Sequence, residues 1–312
     1  MTRRGLVLFA AMCVIWGIPY LLIKVAVEDL SPVTLVFLRT GIAAALLLPV
    51  AVARGHLRPL LPYWRWVVVF TAVEVTAPWL LLSDAEVRLS SSLAGLLIAT
   101  TPLIGALMVL VVGGDDRLDA RRLAGMLIGL GGVAMVLGLN VSGGDVGAVA
   151  EVGLVAVGYA AGPLIIARRL SDLPVVGVLT AALLLTALFY APAAAMRLPP
   201  SLPSAQVIAS VAGLAVVCTA VGFLVFFALI AEIGPVRATV ITYVNPAVAV
   251  ILGVLVLHEP FGVSIAAGFA LILLGSFLAT RRSVTSAPVA SAAQRRSPVL
   301  MTADDGAPAV RR

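Results

Sequence analysis

Three ionisable residues sit inside apolar stretches, where a charge is costly and therefore informative. Glu74 lies in the run F-T-A-V-E-V-T-A-P-W (Phe70 to Trp79), about nine residues from either end of an apolar segment between Arg65 and Asp84. At 1.5 Å per helical residue it is roughly 14 Å deep, the middle of a bilayer. A carboxylate there costs on the order of 3 kcal/mol on insertion scales, so it must face a partner, a water-filled cavity or a substrate. Glu74 is thus a proton-coupling candidate; the alternative is a structural ion pair with Arg39 or Lys24. Arg39 lies about seven residues inside its segment, roughly 10 Å from the end, too deep to snorkel without strain. It faces the bundle, either holding the fold or binding an anionic group. Lys24 is the only lysine in a chain that otherwise uses arginine. A compact, titratable ammonium suits a cavity, and snorkelling outward beside Glu28 is the alternative.

Trp16, Tyr20, Trp79, Tyr159 and Tyr243 place aromatic rings well inside apolar segments, where an interfacial belt does not account for them. Packing or a cavity wall for organic groups with apolar or cationic parts does. Asn245 can bind substrate or bridge helices. Pro102, in Thr100-Thr101-Pro102, and Pro246, after Asn245, each remove one backbone hydrogen bond at mid-segment, so both are hinge candidates.

The elements that carry these residues are read from hydropathy. The chain is 62% hydrophobic and 12% charged with mean hydropathy +1.14, against about 25% charged in soluble chains. Apolar runs long enough to span recur at 6–27, 33–53, 66–83, 91–112, 123–139, 152–167, 174–195, 207–231, 236–257 and 263–280. The fold class expected is an all-α integral membrane protein of ten transmembrane helices. The N-terminal run lacks a small-residue cleavage site and reads as the first helix, not a removable signal.

With the N-terminus cytoplasmic, the inner segments hold Arg3, Arg4, Arg54, Arg58, Arg65, Arg117, Arg121, Arg122, Arg168, Arg169, Arg237, Arg281 and Arg282. The outer loops hold Arg88 and Arg197, with the acidic residues Glu28, Asp29, Asp84, Glu86, Asp145 and Glu259. The positive-inside rule therefore puts both termini in the cytoplasm. The net charge of +6 reflects this bias, and nucleic acid is excluded as a partner. Cys13 and Cys218 lie in apolar runs and read as core residues. His56 and His258 fall in loops with no metal-ligand spacing, and no phosphate-binding loop is present, so no cofactor, metal or catalytic residue is expected.

An internal repeat organises the chain. Ala99 to Asp115, A-T-T-P-L-I-G-A-L-M-V-L-V-V-G-G-D, lies over Tyr243 to Glu259, Y-V-N-P-A-V-A-V-I-L-G-V-L-V-L-H-E, pairing Pro102 with Pro246 and Asp115 with Glu259. Gly17 to Lys24 resembles Ala161 to Arg168 more weakly. Five helices per repeat, an odd number, force the two halves into opposite orientations. The expected division is 1–145 for the first five-helix repeat, 146–282 for the second and 283–312 for a disordered cytoplasmic tail rich in Ser, Ala, Pro and Arg.

These segments also carry a family resemblance. W-G-I-P-Y-L-L-I-K in the first helix, S-P-V-T-L-V-F-L-R entering the second, T-P-L-I-G-A-L in the fourth, and Y-V-N-P-A-V-A-V-I-L-G-V-L-V-L-H-E-P with the following G-F-A-L-I-L-L-G resemble the EamA-type branch of the drug/metabolite transporter superfamily. The resemblance covers about residues 5–282. It implies two inverted five-helix halves alternating around a central cavity. The acidic position after the fourth helix becomes Asp115-Asp116, and Glu74 is not part of the resemblance.

The expected function is a secondary transporter of the inner or plasma membrane, moving a small organic metabolite or drug outward, with protons as the candidate coupling ion and a monomer or homodimer as the working unit. Import or exchange is the alternative within that class. A lipid scramblase, an intramembrane enzyme and a structural assembly factor are the alternatives outside it.

Overall fold

The computed structural model describes residues 2–111, 120–140 and 145–280. Asp115 and Asp116 and the tail at 283–312, singled out above, lie outside these residues. The apolar runs fold as α1 (Arg3–Ala26), α2 (Pro32–Ala53), α3 (Arg58–Arg88), α4 (Ser91–Ile98 and Thr101–Val111), α5 (Ala120–Asn140), α6 (Val146–Leu170), α7 (Val175–Ala195), α8 (Ala205–Ile233), α9 (Pro235–Ala238 and Ile241–Val256) and α10 (Val263–Thr280). Among the described residues nine helices are long and apolar enough to cross a membrane, and Ile241–Val256 is a shorter tenth.

Polar residues just before the apolar runs start the helices. The hydroxyls of Thr2, Ser31, Ser90 and Ser204 each accept the N–H three residues on, satisfying a donor that a new helix leaves open. At the end of α2, Gly55 adopts φ +67° and His56 N–H closes back on the Ala51 carbonyl at 2.9 Å, a left-handed stop. The hydropathy reading ends the third helix at residue 83, but α3 continues to Arg88. Asp84, Glu86 and Arg88 are therefore helical residues and not members of an outer loop.

Extensive packing joins α5 to α10, α2 to α7, α3 to α6, α4 to α9 and α1 to α8. Exchanging the halves maps the α5–α10, α2–α7 and α4–α9 pairs onto themselves and carries α1–α8 onto α3–α6. That is the two-fold relation two inverted five-helix repeats require. The tightest contact, α5 on α10, is built from glycine. A Cβ on Gly275 would stand 2.6 Å from the Gly125 carbonyl, and one on Gly132 would stand 2.7 Å from that of Gly268, so the backbones touch.

The core differs between the two ends of the bundle. On the face opposite the N-terminus, one cluster runs from Tyr20 and Ile23 of α1 and Leu30 after it through Leu82 of α3 and Leu89 after it, Leu93 and Leu97 of α4, Val152 and Val155 of α6, to Val207 and Leu214 of α8. On the N-terminal face the buried residues form two clusters. One gathers α2, α3 and α7 around Leu47, Phe70 and Leu183 and also extends to Val36 and Tyr190 near the far ends of α2 and α7. The other gathers α1, α8 and α9 around Met12, Leu229 and Ile241.

Candidate functional site

Arg39 of α2 points into the bundle and is 8% exposed. Its Nε donates to Thr219 Oγ1 of α8 at 3.0 Å, and its guanidinium lies 3.7 Å from the ring centroid of Trp79 on α3. Among the described residues no carboxylate lies within ion-pair distance of it. Tyr20 and Tyr159 fall within its electrostatic reach. Tyr159 packs on both the far-face cluster and the α2–α3–α7 cluster. Tyr20, Arg39, Trp79 and Tyr159 thus converge from α1, α2, α3 and α6, helices of both halves.

Glu74 sits on the next turns of α3, for a local reason. Pro78 has no N–H to return to the Glu74 carbonyl, and the turn Thr71–Thr76 widens, with Ala77 N–H bonding the Ala72 carbonyl five residues back. The Thr76 carbonyl takes the Tyr190 hydroxyl at 2.9 Å, and the Thr76 and Thr186 hydroxyls meet at 2.7 Å. Opposite, α6 carries Gly158 and Gly162. A Cβ on Gly158 would run into the Val73 carbonyl, and one on Gly162 into the Glu74 carboxyl. This small-x-x-x-small slot seats the Glu74 side chain. Its Oε2 is buried with no hydrogen-bond partner. Neither Arg39 nor Lys24 pairs with it, so the ion pair offered as the alternative is not formed.

The repeat-related helix α8 widens in the same place, over Gly213–Val221. The spacing that sets Pro102 on Pro246 sets Glu74 on Cys218. Within this turn Thr219 Oγ1 bonds the Leu214 carbonyl at 2.8 Å while receiving Arg39. The Cys218 carbonyl accepts Trp16 Nε1 at 3.2 Å. Trp16 adjoins the break in α1 at residues 16–18, and its ring lies 5.4 Å from Phe223 and 4.6 Å from Phe226. Asn245, 8% exposed, stands near it; with its amide nitrogen turned that way it reaches the carbonyls of Ile241 and Cys13 at 3.0 and 3.3 Å. Tyr243 lies apart from both groups, its hydroxyl 2.8 Å from Thr280 Oγ1 on α10.

Lys24 does not face the centre. Its Nζ donates to the carbonyls of Glu86 and Leu89 at 2.7 and 2.8 Å, capping the C-terminal end of α3. Beside it, Glu86 is 0% exposed. The hydropathy reading missed this carboxyl. Its spacing was the available signal: Trp79, Leu82 and Glu86 fall on one helical face, and all three are buried.

The two proline positions differ. Helix α4 breaks at residues 99 and 100, just before Pro102. The Ile98 carbonyl that Pro102 cannot reach is taken by the Thr101 hydroxyl at 2.7 Å, and the Ala99 carbonyl by Ser276 Oγ at 3.2 Å. Pro246 instead lies inside the continuous stretch Ile241–Val256, and α9 breaks earlier, at 239–240. Pro102→Ala should restore one backbone bond across the α4 break, worth roughly 1 kcal/mol, or about fivefold in the ratio of facing states. Pro246→Ala should do less. Thiol labelling from each side of the membrane measures the ratio, and equal, unchanged labelling in both variants removes the hinge.

Comparison with known proteins agrees with this architecture. The EamA-like transporter family profile matches residues 3–138 and again 150–281. The uncharacterized inner membrane transporter YedA of Escherichia coli (strain K12) is 30% identical over 262 residues, covering 80% of this chain and 83% of that protein. The uncharacterized transporter YvbV of Bacillus subtilis (strain 168) is 25% identical over 287 residues, covering 90% and 93%. A solved crystal structure superposes with TM-score 0.64 at 22% identity, covering 90% of this chain and 97% of that one, a likeness of fold. With two profile matches that together run across nearly all of its described helices, the chain belongs to the EamA-like transporter family and is a multi-pass membrane transporter.

Proposed function

We propose that the chain is a secondary carrier of the inner membrane that exports a small organic solute by alternating access at the seam between its halves, in exchange for protons. The observation that carries this reading is the asymmetry of the core: on the far face one cluster ties α1, α3 and α4 to α6 and α8, whereas at the N-terminal face the α1–α8–α9 cluster is separate from the α2–α3–α7 cluster. Polar links between the halves reinforce the far face. Arg88 pairs with Glu151 at 2.6 Å, the Asp29 carboxylate accepts Ser204 N–H at 2.8 Å, and Thr34 Oγ1 donates to the Arg197 carbonyl at 3.2 Å. With the N-terminal face in the cytoplasm, as the arginine distribution favours, this arrangement corresponds to a cytoplasm-facing carrier ready to load solute for export. The inner-membrane location follows the name of the YedA relative. Arg39, Trp79, Tyr20 and Tyr159 form the substrate-binding group in this reading. Trp16 and Asn245 line its N-terminal side, and Glu74 serves as the proton-coupling group.

Comparing metabolites released by deleted and overexpressing cells supplies the solute. Purified protein in liposomes should then show saturable counterflow of that solute. Flipping of labelled lipid without counterflow would replace the carrier with a scramblase.

A further inference from the structure

The short linker between α3 and α4, at Leu89 and Ser90, is held from two sides. From α1, the Lys24 ammonium takes the Glu86 carbonyl in the last turn of α3 and the Leu89 carbonyl just after it. From the connection after α9, the Glu259 carboxylate accepts the N–H groups of Ser91 and Ser92 at 2.7 and 2.9 Å and the Ser92 hydroxyl, capping the start of α4. Two side chains in this arrangement have no hydrogen bond, the Ser91 hydroxyl and the Glu86 carboxyl. Glu86, fully buried between the clamps, has no hydrogen-bond partner on either carboxyl oxygen, although Lys24 is its neighbour.

A buried carboxylate facing an ammonium should take it; that the ammonium sits on backbone carbonyls instead is the arrangement of a carboxyl group that holds its own proton. We propose that Glu86 is a proton-binding group that works the far-face gate. Protonated, it leaves Lys24 free to cap α3, and the linker stays clamped. When the proton leaves to water, the carboxylate draws the Lys24 ammonium off the Glu86 and Leu89 carbonyls. The end of α3 then loses its cation, and the α3–α4 linker is released. Rebinding a proton from the same far-side water reverses the step and closes the gate, so Glu86 sets when the gate opens while Glu74 carries the proton exchanged for solute.

The charged and titratable groups facing Glu86 are Lys24 and Tyr20 of α1, Arg39 of α2, Tyr159 of α6 and Glu259 after α9. On its own helix, Arg88 is engaged by Asp84 and Glu151. Of the two cations among these, Lys24 is the one bonded to the backbone of the linker. The assignment rests on the alternating-access reading, but its test needs no solute, so either can fail without the other.

The test uses Ser91→Cys as a reporter under the clamp, in full-length protein with Cys13 and Cys218 changed to alanine, reconstituted in liposomes. Ser91 is fully buried and contributes its backbone N–H, not its hydroxyl, to Glu259. Labelling by a membrane-impermeant maleimide is normalised to Ser201→Cys, an exposed position between α7 and α8, to remove the intrinsic pH dependence of the thiol. From about pH 5.5 to about pH 8.5 the normalised rate should rise on the order of tenfold. Glu86→Gln should hold it low at every pH, and Lys24→Gln should hold it high at every pH. A structural role for the pair predicts that both variants loosen the gate together. That result, a wild-type pH response in Glu86→Gln, or a closed gate in Lys24→Gln overturns the proposal.

Discussion

Glu74→Gln should leave the carrier folded and able to exchange solute while abolishing accumulation driven by a pH gradient. With one proton exchanged per solute, a gradient of one pH unit supports about a tenfold accumulation, equivalent to 1.4 kcal/mol, and the variant should fall to parity. The glutamine fits because the carboxyl already sits in the slot left by Gly162 with Oε2 unpartnered. No buried cation is stranded by the change, since Arg39 is held by Thr219 and Trp79 and Lys24 by backbone carbonyls. Stability should therefore stay near that of the parent, unlike the several kcal/mol lost when one member of a buried ion pair is removed. Measuring gradient-driven uptake and counterflow in the same liposome preparation separates coupling from binding. A variant that still concentrates solute like the parent at every imposed gradient would remove the coupling role.

Gly275→Val should be the most damaging single change to the fold itself. Its new Cβ would meet the Gly125 carbonyl and the Gly129 Cα, both at 2.6 Å, and these are backbone atoms that cannot rotate away. Helices α5 and α10 would have to separate along their contact, at a cost of roughly 2–4 kcal/mol, enough to lower yield and melting temperature sharply. Gly131 on α5 has open space where a Cβ would go, so Gly131→Ala serves as the matched control and should be nearly silent. Thermal melting of the two purified variants in one detergent checks the difference. Equal melting temperatures would mean that the glycine contact does not hold α5 to α10.

What the chain's residues determine by themselves is what depends on each segment's own solvent. Apolar length separates spanning runs from loops, because an unsatisfied backbone in hydrocarbon leaves a helix as the stable form of each run. Ten spans, the pairing of Pro102 with Pro246 and the family membership were all legible there, and so was the placement of Tyr20, Arg39, Trp79 and Tyr159 within helices. What the tertiary structure decided is which faces meet. Hydropathy read Glu86 as a loop residue, because a carboxyl near the end of an apolar run scores like one in water. It is buried because α3 runs on to Arg88 and carries Glu86 on the same inward face as Trp79 and Leu82, with Lys24 of α1 capping the helix end. Tyr243 and Asn245 are close in sequence, yet one turns to Thr280 and the other toward Cys13, since a side chain's direction around a helix depends on register and on neighbouring breaks. The widened turns at Thr71–Thr76 and Gly213–Val221 change that register locally. Which residues of α3 and α8 reach Arg39 or the Gly162 slot is settled by packing against α2 and α6, partners far away in the chain.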